Sequence, residues 1–248
     1  MSGRGADLAP GIEILYEDNH LLAVSKPPGI PSQADESGDP DMLTLLKADL
    51  KERYSKPGNV FLGLVHRLDR PVGGAMLFAK TSKAASRLSD AVRSRSFGKT
   101  YAAVLTGAPA AASGSLRHYL LKDSKTNTVQ AYDRAVAGAK EALLDYAVVA
   151  VGAGHALAAI RLHTGRSHQI RVQMSQLGTP LAGDRKYGGP SEAGNAVVPE
   201  IALWSTSITA PHPVTKELLV IRSQPPQRGA WQLWSPEQLS DAAERFLR

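Results

Sequence analysis

The chain has 248 residues, no cysteine, 43% hydrophobic and 21% charged residues, and a formal net charge of +6. That excludes a disulfide scaffold, a thiolate metal site and a cysteine nucleophile, and it fits a reducing, cytoplasmic compartment. No apolar run is long enough to span a bilayer, residues 1–10 carry no hydrophobic stretch of the kind a secretory signal requires, and the positive excess favours an anionic partner, RNA being the commonest large one.

Residues 1–11 read as a mobile tail. Residues 12–16 and 21–25 read as two short strands around the turn Glu17-Asp18-Asn19-His20. Lys26-Pro27-Pro28-Gly29 must leave regular structure, because two prolines remove two backbone donors. Residues 33–41 read as a loop, after which Asp41 is placed to cap a helix over 42–54 with Leu43, Leu46 and Leu50 on one side. A strand over 60–65, the loop Arg67-Leu68-Asp69-Arg70-Pro71 and a strand over 74–79 follow. Ser82 is expected to cap a helix over 83–95. Strands are expected over 101–105, 129–132, 142–151 and 155–162, with 108–114 as a small-residue loop. Ser167 is expected to cap a helix over 168–176 ended by Gly178. Strands over 203–209 and 217–221 and a tail helix from Pro236 complete the chain. Strands outnumber helices without alternating regularly with them. The pattern predicts an α+β fold with a mixed, largely antiparallel sheet and one domain over residues 12–248.

Three segments carry candidate chemistry. In Gly63 to Gly74 an apolar strand delivers Asp69 between Arg67 and Arg70, with His66 just before. Flanking positive charge favours the ionised carboxylate and can hold phosphates near it; a solvated loop with surface ion pairs is the plainer reading. In Arg161 to Arg171, the side chains of His168, Gln169 and Arg171 would project near a helix N-terminus, where anions bind, with Arg166 just outside. A basic, solvated helix start is again the plainer reading. No carboxylate lies at ligand spacing around His163 and His168, so no metal is expected. Tyr101, at a strand start, can stack on a base or serve as a core aromatic. The helix before it carries Lys83, Arg87, Arg93 and Arg95, a solvated face or part of a phosphate track. His66-Arg67-Leu68-Asp69 echoes a kinase catalytic loop, but the partner motifs are missing. Gly152-Ala153-Gly154 lacks the rest of a dinucleotide fingerprint, and nothing implies an organic cofactor.

Together these segments resemble the RluA family of pseudouridine synthases, from about residue 12 to residue 221. Four blocks carry the resemblance: Tyr16 to Gly29, His66-Arg67-Leu68-Asp69, Lys99-Thr100-Tyr101, and Gly165 to Arg171 followed by Pro180 to Tyr187. The resemblance implies a pseudouridine synthase core with flanking helices and a central RNA-binding cleft. It implies isomerisation of uridine in ribosomal or transfer RNA, with no cofactor and no metal. Asp69 falls on the catalytic aspartate, Tyr101 on the tyrosine packed against the target base, Arg171 on the arginine paired with the aspartate, and Arg67 on the arginine that fills the RNA stack. His66, Arg70, Arg166, His168 and Gln169 are the remaining RNA-contact candidates. Monomeric state and no membrane partner are expected. Two departures stand out. Val72-Gly73-Gly74 replaces the usual Thr-Ser-Gly after the aspartate, and too few residues precede the first block for an S4 domain. The alternative is a non-catalytic RNA-binding protein on the same scaffold. A glycosidase-type hydrolase would want two paired acids, and only one stands in a convincing setting.

Overall fold

Asp18 turns the chain at its first hairpin. Its Oδ1 accepts the backbone N–H groups of His20 and Leu21 at 2.7 Å each, and strands β1 (Glu13–Glu17) and β2 (Leu21–Lys26) pair antiparallel around it. The computed structural model describes residues 11–188 and 200–247, so the expected tail over 1–11 lies, Gly11 apart, outside the described residues. The described chain divides into two compact units: residues 11–97 with 207–223, and residues 98–206 with 224–247.

In the first unit β2 and β4 (Gly73–Ala79) are buried along their whole length and pair antiparallel. Both read as near-continuous apolar runs, as strands covered on two faces do. Helix α1 (Met42–Arg53) starts where expected: Asp41 accepts the N–H groups of Leu43 and Thr44. Helix α2 (Ser82–Arg93) is capped one residue earlier than expected, by Thr81, whose Oγ1 accepts the Ala84 N–H at 3.1 Å. The strand expected over 60–65 shrinks to β3 (Gly63–Leu64), because Phe61 is half exposed and 65–72 bends away as a loop. The unit is completed by a hairpin between the end of β10 (Leu203–Pro211) and β11 (Leu218–Arg222). Leu21, Leu77, Leu88, Phe97, Ile208 and Ile221 share its core.

The second unit is an antiparallel sheet in the order β5-β9-β8-β6-β7: β5 (Gly98–Thr106), β6 (Ser113–Asp123), β7 (Thr128–Tyr132), β8 (Lys140–Gly152) and β9 (His155–Leu162). Strand β6 was not expected. Its inward positions include His118, which a polarity pattern reads as outward, so the period of two is hidden. One face carries a cluster in which Ala102, Val104 and Leu157 meet Trp204, Trp231, Trp234 and Leu239. The last three come from a 3-10 helix (Gly229–Leu233), its following residue and helix α4 (Pro236–Glu244), which Ser235 starts with a capping box. Helix α3 (Gln169–Gln176) lies against the sheet through Val172. Ser167 does not cap it. His168 takes a left-handed conformation (φ 53°) instead, and the Gln169 side chain accepts the Arg166 N–H at 3.0 Å, closing the loop from inside the helix.

With eleven strands and four α-helices among the described residues, and with β1–β2, β2–β4, β3–β4, β5–β9, β6–β7, β6–β8, β8–β9 and β10–β11 paired antiparallel, the structure has the expected α+β class. No helix among them is long and apolar enough to cross a membrane.

Candidate active site

The first unit supplies a loop between β3 and β4 that carries His66, Arg67, Asp69 and Arg70. Asp69 is half-buried and turns the chain by accepting the Val72 N–H on its carbonyl at 3.0 Å. Both neighbours of Asp69 are held through their backbones. Ser32 donates its hydroxyl to the Leu68 carbonyl (2.7 Å) and accepts the Leu68 N–H (3.1 Å). The Arg70 carbonyl accepts from the Gly29 N–H (2.8 Å) and from the ammonium of Lys26 (3.1 Å). Lys26 is fully buried and also donates to the carbonyls of Pro27 (3.0 Å) and Ile30 (2.7 Å). Burial pushes its ammonium down to about 7, against the pull of the Asp69 charge. The Lys-Pro-Pro-Gly segment is thus a clamp under the Asp69 loop, a role the sequence reading did not assign.

Arg67 is exposed. Arg70 is half-exposed, donates Nε to the Gly29 carbonyl at 2.9 Å and pairs with Asp39. His66 is turned inward: its Nε2 accepts the Leu77 N–H at 2.9 Å and its ring lies 5.2 Å from that of Phe97. The atypical Val72 is 2% exposed, so the side chain that replaces a hydroxyl joins the core. Gly74 has φ +112°, a conformation that needs glycine, which accounts for the one family residue kept there.

The second unit supplies Tyr101, on β5 opposite Ile160 and 5% exposed, and the start of α3. Arg171 is buried on α3. Its Nε and Nη2 donate to the two oxygens of Asp184 at 2.8 and 2.7 Å, a bidentate pair, and its guanidinium lies 5.0 Å from the centre of the Tyr187 ring. Burial works against the Asp184 charge, but Arg171 and the N–H groups of Lys186 and Tyr187 outweigh it and hold the carboxyl below its usual range. Tyr187 accepts the Val129 N–H at 2.9 Å and lies 2.6 Å from Nδ1 of His168. Gln169, expected to meet RNA, is 3% exposed, and its amide is used internally by Thr164, Arg166 and Leu143. Arg166 stays exposed and donates Nε to the Glu141 carbonyl.

Asp184 and Tyr187 were missed as site residues, although both lie in the fourth block of the resemblance. Arg161 and His163 converge on Asp145, each at 2.7 Å, and Ser115 donates to the same carboxylate at 2.6 Å. Among the described residues no group of three or more His, Asp or Glu is arranged to hold a metal ion.

The chain matches the RNA pseudouridylate synthase family over residues 20–176. It is 34% identical over 212 residues to the uncharacterized RNA pseudouridine synthase YhcT of Bacillus subtilis, covering 84% of this chain and 67% of that one. It is 33% identical over 210 residues to the dual-specificity RNA pseudouridine synthase RluA of Escherichia coli, covering 82% of this chain and 89% of that one. The structure of human RNA pseudouridylate synthase domain containing 4 superposes with a TM-score of 0.74 over 92% of each chain at 22% identity, a likeness of fold. The chain therefore belongs to the RNA pseudouridylate synthase family, a class of RNA-modifying isomerases. Within that class it is of the RluA type, the type its four sequence blocks resemble.

Proposed function

We propose that the protein converts specific uridines of ribosomal or transfer RNA to pseudouridine, with Asp69 as the catalytic carboxylate and the two units working as one catalytic domain. The observation that carries this reading is the clamp on the Asp69 loop: Lys26, Gly29 and Ser32 fix the backbone on both sides of one half-buried carboxylate. A loop that only carried surface ion pairs would need no such support.

The reaction breaks the N-glycosidic bond, turns the uracil and joins its C5 to the ribose. The uridine must leave the stack first, at a cost of a few kcal/mol. Exposed Arg67 is suited to filling the gap. Asp69 acts in its ionised form as nucleophile or base. Tyr101 packs against the freed uracil and limits its escape while it turns. Arg171, pre-oriented by Asp184, is the positive charge that the family resemblance pairs with Asp69. Arg70, Arg166 and His168 line the RNA path, and the enzyme acts as a monomer.

Asp69→Asn is expected to abolish pseudouridine formation while RNA binding survives; turnover by the purified variant would overturn the assignment. Arg171→Ala is expected to be nearly inactive, with the loss in turnover. A small, salt-dependent binding defect would instead mark Arg171 as a phosphate contact. A native protein that binds unmodified RNA and leaves its uridines unchanged would favour a purely RNA-binding role.

A further inference from the structure

Strand β5 sends alternate side chains to opposite faces of the second unit's sheet. Ala102 and Val104 join the tryptophan cluster. Lys99 and Tyr101 share the other face. Their cross-strand neighbours are Leu162 and Ile160, and Leu162 in turn lies opposite Leu144. Two residues along from Leu144, Ala142 packs with Val172 of α3. Lys99 therefore stands on the face that carries Tyr101 and receives the helix bearing Arg171.

The ammonium of Lys99 sits at the loop leading into α3. A Cβ added to Gly165 would lie 2.8 Å from its Nζ. Among the described residues Lys99 makes no hydrogen bond and no ion pair, and burial alone pushes its ammonium below the usual lysine range. A partly desolvated, unpaired cation is costly, and nothing in the core repays it. Gly165 is exposed, so the approach to Nζ from outside is open where any larger residue would cover it.

We propose that Lys99 is a further residue of the uridine site and binds an oxyanion of the target nucleotide. The oxyanion is either a uracil carbonyl oxygen, which gains negative charge as the glycosidic bond breaks, or a backbone phosphate oxygen. The proposal rests on the function inferred above. Residues two apart on a strand have Cα atoms roughly 6.6 Å apart, so an ammonium beside Tyr101 reaches the edge of a ring packed on that tyrosine or the sugar-phosphate attached to it.

The test measures single-turnover pseudouridine formation and RNA affinity, at low and high salt, for native protein, Lys99→Met, Lys99→Arg and Gly165→Ala. A preorganised charge on a developing anion predicts a rate about 100-fold lower in Lys99→Met with affinity unchanged. A phosphate contact predicts weaker binding instead, by a factor that shrinks as salt rises. In either case Lys99→Arg recovers much of the loss. Gly165→Ala, which moves the ammonium without removing it, gives a smaller loss that adds nothing on top of Lys99→Met. Rate and affinity of Lys99→Met both within threefold of native, in an active native enzyme, overturn the proposal alone. A loss that Lys99→Arg does not relieve, with a matching fall in Tm, overturns it in favour of a structural lysine. Native protein that forms no pseudouridine overturns the functional reading and this proposal with it.

Discussion

Asp145 shows how single residues are tuned in this protein. Burial opposes its charge, yet the Ser115 hydroxyl, Arg161 and His163 together hold the carboxyl down to about 2, below the ordinary 3.8. The folded value is the lower one. The stabilisation is therefore fully present above about pH 4 and is lost as the pH falls towards 2. It amounts to about 2 kcal/mol. In acid titrations of unfolding free energy, native protein should lose about that much more than Asp145→Asn between pH 4 and pH 2; equal slopes would refute the linkage. The readable and unreadable residues differ in a simple respect. Asp69 was legible because Arg67 and Arg70 stand within two residues of it and because its block resembles the family's in order with the others. Asp184 was not, since the fold alone brings it to Arg171 across thirteen residues. Nor was the role of Lys26, whose acceptor on Arg70 lies 44 residues away.

At the scale of elements the same distinction holds. Helix α1 announces itself because its cap, Asp41, bonds to N–H groups within three residues, and α4 starts at the expected Pro236, with Ser235 as the cap the structure adds. Helix α3 conceals its start because a left-handed His168 and the side chain of its own first residue do that work. Strand β6 was overlooked since His118 faces inward, where Gln173 lies 3.0 Å from its Nδ1. The turn after α3 is the least forgiving element. Gly183 has φ +76°, and a Cβ there would lie 2.3 Å from the Glu200 carbonyl oxygen. Gly183→Ala combines backbone strain with a clash against main chain, so about 2–4 kcal/mol of stability should go. A lowered denaturation midpoint would show it; a midpoint equal to native would contradict the geometry. Because Asp184 is the next residue, the variant should also loosen the Arg171 pair.

At the scale of the molecule, the second unit depends on the end of the chain. Trp231, Trp234, Leu239 and Ala242 cover Trp204, Val104 and Leu157. A chain ending at Ser223 would leave Trp204 as its sole tryptophan, uncovered. Its fluorescence emission should shift to the red of native and its near-UV circular dichroism should collapse. Native-like spectra would show that the tail is dispensable. Most strands and the family blocks were legible along the chain; strand β6 and the division into two compact units were not. No linker composition marks it, because the chain leaves the first unit within the run from Phe97 to Gly98 and returns to it within strand β10.

That interleaving bears on how the protein is made. On a ribosome, residues 11–97 emerge with the apolar faces of β2 and β4 already formed in sequence, but Ile208, Ala210 and Ile221, which share their core, come from the far side of the second unit. At ordinary elongation rates the intervening segment takes roughly five to twenty seconds to synthesise. Throughout that interval the nascent first unit carries an uncovered hydrophobic surface, which makes it a natural client for chaperones that bind chains still attached to the ribosome.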